Sequence, residues 1–319
     1  MAVYTAVDDE ALTAFLADYD VGELLSAKGI AEGVENTNYV LMTTGGTFIL
    51  TLYEQRVEAA DLPFFLNLMN HCADKGIAAP QPVPRRDGAL LGELCGRHAA
   101  MVTYLDGMAT KRPKPLHCAE LGRGLAAFHT ATADFGMRRE NALGVASWGP
   151  LFAQSREAAD GVVPGLAALV DDELAALDTL WPRDLPAGVI HADLFPDNVF
   201  FIGDALSGLI DFYFACNDTL AYDLAICINA WCFEDDLAFN VTKARSMILG
   251  YDAVRPLSEA EKDALPLFCR GAALRFCLTR LHDWLRVPEG ALVTPKDPRP
   301  YYERLRFHRS VAGPAEYGI

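Results

Sequence analysis

The sequence predicts an α+β protein of two lobes, a small one built on an antiparallel β-sheet followed by a larger, mainly helical one. Three observations carry this. Short strand-forming runs separated by glycine-bearing turns fill the N-terminal third. Apolar residues at helical spacing dominate the rest. A chain of 319 residues, 51% of them hydrophobic, can bury a core large enough for two lobes.

Taken in order, Leu12, Phe15, Leu16 and Tyr19 recur at helical spacing and predict a short opening helix. Residues 27–32 and 38–43 read as strands, Gly45 and Gly46 as a hairpin turn, and residues 47–53 as the next strand. A helix over residues 61–75 ends at Gly76. Pro80, Pro82 and Pro84 interrupt any regular element, then Asp87 and Gly88 turn the chain between two further strands. Residues 97–105 read as a strand, and Asp106-Gly107 closes the first lobe, giving domains 1–105 and 106–319. From His117 the pattern becomes helical as far as Trp181. Further helices complete the chain beyond residue 211, one of them opened by a capping box of Ser258 and Glu261.

The formal net charge of −16 argues against nucleic acid or an anionic membrane as partner, because either requires a basic face. Eight cysteines lie scattered in apolar segments with no CxxC pair, so reduced core thiols and a cytoplasmic location are expected. No apolar run approaches the ~18 residues of a membrane span, and the first residues lack a signal-peptide h-region. The sequence leaves the oligomeric state open.

Residues 189–211, VIHADLFPDNVFFIGDALSGLID, concentrate the chemistry. Apolar runs at 189–190 and 199–202 flank a polar loop, and a Gly-Asp turn leads to a third run ending at Asp211. Phosphoryl transfer from ATP requires a carboxylate to orient the acceptor hydroxyl, and hard oxygen ligands for Mg²⁺. Asp193 and Asn198 have the D-x-x-x-x-N spacing of a kinase catalytic loop, and Asp211 follows the hairpin as a second metal-binding carboxylate would.

At these residues the sequence resembles the aminoglycoside phosphotransferase and choline kinase superfamily, whose loop usually reads HGDxHxxN. Here it reads HADLFPDN, with Ala192 for the glycine and Phe195 for the second histidine. This departure, with FILTLYEQR near the N terminus and LIDFYFACNDTLAYDLA after the loop, is similar to the homoserine kinase branch, and the resemblance extends over about residues 21–309. It implies a bilobal protein-kinase-like fold, and ATP with Mg²⁺ as cofactors. The expected reaction is phosphorylation of the hydroxyl of L-homoserine to O-phospho-L-homoserine, a step of threonine biosynthesis. Asp193 is then the catalytic base, with Asn198 and Asp211 the metal ligands.

The resemblance also assigns supporting residues. Nucleotide contacts are expected from Gly29, Gly33, Asn36 and Asn38 between the first two strands. The carbonyl of Thr103 and the amide of Leu105 would meet adenine at the hinge. The lysine or arginine that the family carries in the third strand is absent, since Thr51 follows Phe48-Ile49-Leu50; either Arg56 replaces its charge or Mg²⁺ carries more of the neutralisation. His191 and Asp223 are expected to brace the loop and Asp218 either to brace it or to cap a helix, whereas His129 reads as a hydrogen-bonded core histidine. For a substrate carboxylate, the apolar helix around residues 267–284 offers Arg275 and Arg280, with Asn229 and Tyr213 as further candidates; Arg270 is the third arginine there.

Other readings compete. Choline, methylthioribose or an aminoglycoside could be the acceptor within the same superfamily. His191, Asp193, Asp197 and Asp211 could instead form the ligand cluster of a metal-dependent phosphohydrolase. The lost strand cation alone suggests an inactive nucleotide-binding module.

Overall fold

The computed structural model describes residues 5–30, 36–54, 58–286 and 295–319. It divides into two compact units, Met1–Gly107 with Ser207–Tyr213, and Met108–Leu206 with Phe214–Ile319. The sequence placed its boundary at 105/106; the chain divides at 107/108, and Ser207–Tyr213 belongs with the first unit.

In the first unit, α1 (Asp9–Leu16) is capped by Asp8, whose carboxylate accepts from the Ala11 amide at 2.7 Å. Strands β1 (Leu24–Gly29), β2 (Thr37–Thr43) and β3 (Gly46–Leu52) follow, then α2 (Leu62–Asp74), β4 (Gly92–Leu94) and β5 (Arg97–Thr103). The sheet order is β1-β2-β3-β5-β4, and every neighbouring pair is antiparallel. Leu12, Phe15 and Leu16 of α1 pack with Leu41, Leu50, Leu52 and Met101 into one core. The first strand starts and ends three residues earlier than expected, because pairing with β2 sets its limits and most of its side chains are exposed at the sheet edge. Between α2 and Asp87 there is no strand: Pro82 and Arg85 make only isolated bridges, to Val102 and Tyr19, since alternating prolines cannot donate to a ladder.

The second unit opens with the short β6 (Met108–Ala109) and continues with α3 (Pro115–Ala131), α4 (Val145–Ala153), α5 (Arg156–Val162) and α6 (Leu166–Leu180). Then come β7 (Ala187–Ile190), β8 (Val199–Ile202), β9 (Ala205–Leu209), whose residues from Ser207 on are counted with the first unit, and β10 (Cys216–Thr219). Helices α7 (Leu220–Trp231), α8 (Val241–Asp252), α9 (Glu259–Trp284) and α10 (Arg299–Ser310) complete it. Strand β10 was not anticipated; it pairs antiparallel with β7, Cys216 opposite Ile190. Helices α3 and α8 meet through Gly122 and Gly250, where a Cβ on either would collide with a carbonyl of the facing helix, that of Met247 or Ala119. The expected capping box opens α9: the Glu261 amide donates to Ser258 Oγ at 3.2 Å and the Ser258 amide to Glu261 Oε2 at 3.0 Å.

The helical core encloses charged groups that pair internally. Arg270 of α9 grips the fully buried Glu173 of α6 with two hydrogen bonds of 2.7 and 2.8 Å, and Arg309 of α10 adds a contact at 3.3 Å. All eight cysteines are free thiols and seven are buried. Among the described residues, no helix is long and apolar enough to cross a membrane.

His308 of α10 sits in an aromatic nest with Phe233, Phe239 and Tyr317, its Nδ1 2.8 Å from the Tyr317 hydroxyl. Burial, with the nearby Arg304 charge, pushes its pKa down to about 3. The folded protein therefore refuses a proton that the unfolded chain accepts below about pH 6.5. Stability is expected to fall as the pH drops from about 6.5 toward 3, by up to about 1.4 kcal/mol per unit from this group. Denaturant unfolding of wild type and His308→Gln between pH 7.5 and 4.5 checks this: the variant should lose that part of the slope, and parallel curves would contradict it.

Candidate active site

The loop between β7 and β8 is folded on itself by local hydrogen bonds. The Phe195 amide donates to the Asp193 carbonyl at 2.8 Å, and the Asn198 amide to the Phe195 carbonyl at 2.9 Å, forming a single 3₁₀ turn over Pro196–Asn198. Asn198 is buried, and its side-chain NH₂ donates to Asp193 twice, to the backbone carbonyl at 2.8 Å and to carboxylate Oδ2 at 3.1 Å. The five-residue separation thus places the amide against the carboxylate and fixes the direction in which Asp193 points. With its NH₂ committed, Asn198 retains a carbonyl oxygen, a hard donor suited to Mg²⁺.

Backbone clamps hold the loop from behind. Asp223, fully buried at the start of α7, accepts from the amides of His191 at 2.7 Å and Ala192 at 2.9 Å. Its other partner is His129 Nε2 at 3.1 Å, and His129 Nδ1 lies 2.8 Å from the Tyr251 hydroxyl. Burial pushes the Asp223 pKa up, but the His129 hydrogen bond and the neighbouring imidazoles outweigh it and hold the carboxyl below its usual range. Ala192 has φ +65°, a left-handed conformation that costs an L-residue about 1–2 kcal/mol. This is the position where the resembling loop carries glycine, and here the strain is held by hydrogen bonds on both sides of the residue. The Ala192 carbonyl accepts from Arg275 Nη1 at 2.7 Å, and two residues along the Leu194 carbonyl accepts from Trp231 Nε1 at 2.7 Å.

This loop, on this strand-and-helix scaffold, can be set beside known proteins. The sequence matches the phosphotransferase enzyme family over residues 26–257. The chain belongs to that family. It is 65% identical to a homoserine kinase of Methylobacterium sp. over the whole of this chain and 99% of that one, and 62% identical to a homoserine kinase of Parvibaculum lavamentivorans over the same shares. The fold is shared with amicoumacin kinase in complex with AMP-PNP, Ca²⁺ and Ami, with a TM-score of 0.68 at 15% identity, covering 95% of this chain and 92% of the other. The expected kinase-like α+β architecture is thus correct, and this family member is an enzyme.

Asp211 belongs to the first unit, whereas Asp193 and Asn198 belong to the second. It too is a non-glycine residue with φ +65°, and it is exposed. Two residues on, Tyr213 meets the buried Tyr53, their hydroxyls 3.2 Å apart and their rings edge to face at 5.3 Å. Burial raises both phenols' pKa, that of Tyr213 to about 12. Thr51, in the place of the family's strand cation, is buried and donates to Asn38 Oδ1 at 2.7 Å. Asn36 Oδ1 accepts from the Glu54 amide at 3.3 Å. Gly29 ends β1, and Thr103 ends β5 with its amide on the Gln81 carbonyl at 2.9 Å; Leu105 follows two residues later. Gly33 and Arg56 lie outside the described residues.

The remaining expected residues are placed as follows. Asp218 accepts from Asn141 Nδ2 at 2.6 Å and from the Thr219 amide at 2.7 Å. Asn229 is buried and ties α7 to α9, donating to the carbonyls of Ala225 and Cys269, both at 3.0 Å. Arg275 is buried, with its guanidinium against the Phe276 ring at 4.4 Å. Arg280 alone of the four substrate candidates retains a partly exposed cation. Sequence reasoning missed Trp231 and, on α10, Tyr301 and Arg304. Helix α10 carries so many polar residues that its pattern reads as a solvated face, and only tertiary packing reveals otherwise.

Proposed function

We propose that the enzyme transfers the γ-phosphoryl group of ATP to the hydroxyl of L-homoserine, giving O-phospho-L-homoserine and ADP. The observation that carries this reading is full-length similarity, 65% identity, to a homoserine kinase. Asp193, oriented by the Asn198 amide, receives the hydroxyl proton as the oxygen attacks phosphorus. The Asn198 carbonyl oxygen and the Asp211 carboxylate would hold Mg²⁺, which supplies charge neutralisation on the phosphates. Asp223, Arg275 and Trp231 keep the loop backbone in place. The first unit, with Gly29, Asn36, Asn38, Thr103 and Leu105, is the nucleotide-binding lobe, and the second carries catalysis and the acceptor. The protein works in the cytoplasm.

The phosphohydrolase alternative loses support to the same full-length similarity, since the relatives that match are named as kinases. Measuring ADP release with L-homoserine, choline, methylthioribose, an aminoglycoside and no acceptor tests the proposal. Release should depend on L-homoserine. Preference for another alcohol, or turnover without any acceptor, would overturn it.

A further inference from the structure

Two cations of the second unit, Arg280 and Arg304, share one aromatic ring and form no ion pair among the described residues. Arg280 of α9 and Arg304 of α10 both lie against Tyr301, their guanidinium carbons 4.4 and 4.5 Å from its ring centroid. Arg280 Nη1 donates to the Asp297 carbonyl at 3.2 Å, but the Asp297 carboxylate is taken by Arg299 at 2.9 Å. Among the described residues, neither Arg280 nor Arg304 pairs with a carboxylate. Among the described residues the Tyr301 hydroxyl and Arg304 Nε are buried without a hydrogen-bond partner of good geometry, although the Arg304 guanidinium lies near enough to act on the hydroxyl, and Tyr301 is 0% exposed. Two half-buried guanidinium groups on one ring repel each other, and a buried donor left unpaired costs stability unless something else satisfies it. Burial and the Arg304 charge lower the Arg280 pKa, and the Asp193 carboxylate is close enough to act on both Arg280 and Tyr301.

We infer that Arg280, Arg304 and the Tyr301 hydroxyl form the site for the carboxylate of an amino-acid acceptor, an inference that rests on the homoserine reading above. The missing partner must be an anion that also brings a hydroxyl to Asp193. In L-homoserine three carbons separate carboxylate from hydroxyl, so its anion must dock close to the catalytic carboxylate, where this cluster lies. The same charges discriminate. A cationic alcohol such as choline or an aminoglycoside would bring positive charge against two guanidinium groups, whereas a zwitterion presents its carboxylate to them.

The test compares wild type, Tyr301→Phe, Arg280→Lys and Arg304→Lys on L-homoserine and on 3-aminopropan-1-ol, which is homoserine without its carboxylate. Each arginine variant should raise the homoserine KM about 10- to 100-fold, with the ATP KM unchanged, because a point charge does not reproduce a bidentate contact. Tyr301→Phe should change Tm little, since among the described residues its hydroxyl has no hydrogen-bond partner of good geometry, yet raise the homoserine KM about tenfold. In all three, preference for homoserine over 3-aminopropan-1-ol should shrink. Retained preference in the folded variants overturns the carboxylate site, and Tyr301→Phe decides alone if the arginine variants unfold. Wild type that ignores L-homoserine overturns the acceptor reading itself, a result visible before any variant is compared.

Discussion

Asp193→Asn is expected to give a folded protein that binds ATP and no longer phosphorylates its acceptor at a useful rate. The substitution is nearly isosteric, and half of the Asn198 grip survives it, because the 2.8 Å bond goes to the backbone carbonyl rather than to the carboxylate. An amide oxygen at the former Oδ2 can still accept the second bond. What is lost is the proton acceptor. General-base help by a positioned carboxylate is worth about 10²- to 10⁴-fold, and the fall in kcat should lie in that range. Nucleotide affinity and Tm should stay near wild type. Steady-state phosphorylation with calorimetric ATP titration measures both, and a folded variant within about tenfold of wild-type kcat would remove Asp193 from this role.

The parts of this fold that sequence reasoning reached are those in which cause and effect lie close along the chain. The Asp193 to Asn198 spacing is closed by hydrogen bonds within six residues, and the Ser258–Glu261 box by bonds within four. Alternating strands and glycine turns gave the first sheet, with limits shifted by the partner strand rather than by propensity. Long-range pairings were not legible. Strand β10 is short and carries Asn217 and Asp218, poor strand formers, and exists because β7 lies beside it. Arg270, Arg275 and Arg280 are alike in sequence, three basic residues in one apolar helix. Structure separates them: the first meets Glu173, the second a loop carbonyl, and the third a tyrosine ring from α10.

That separation also resolves how an acidic protein accommodates anionic ligands. A net charge of −16 repels ATP and any carboxylate at long range. At short range, a few arginines decide. Arg270 is neutralised in the core and Arg275 serves the loop backbone, which leaves the Arg280 and Arg304 pair as cations of the second unit that no described carboxylate neutralises.

The largest stability loss is expected at Asp223. Its two oxygens accept the amides of His191 and Ala192 and the His129 ring, all within the core. Replacement by alanine leaves those donors buried without acceptors, and removing one partner from such a buried set typically costs about 3–5 kcal/mol. Against a total of about 5–15 kcal/mol, the variant should melt many degrees lower. Activity should fall too, because the left-handed Ala192 would lose the bond that stabilises it one residue before Asp193. Asp223→Asn keeps one carbonyl oxygen for the amides and should lie between the two. The pH dependence has a definite sign. A carboxyl whose folded pKa is lowered contributes its full stabilisation above the unfolded value of about 3.9 and loses it only as the pH falls through the folded value, so the Asp223→Ala deficit should be constant from pH 6 to 8 and shrink in acid. Ala192→Gly in the Asp223→Ala background should restore part of the lost activity, because glycine adopts φ +65° without strain. Wild-type Tm and turnover in Asp223→Ala would show that the loop holds its geometry without this carboxylate.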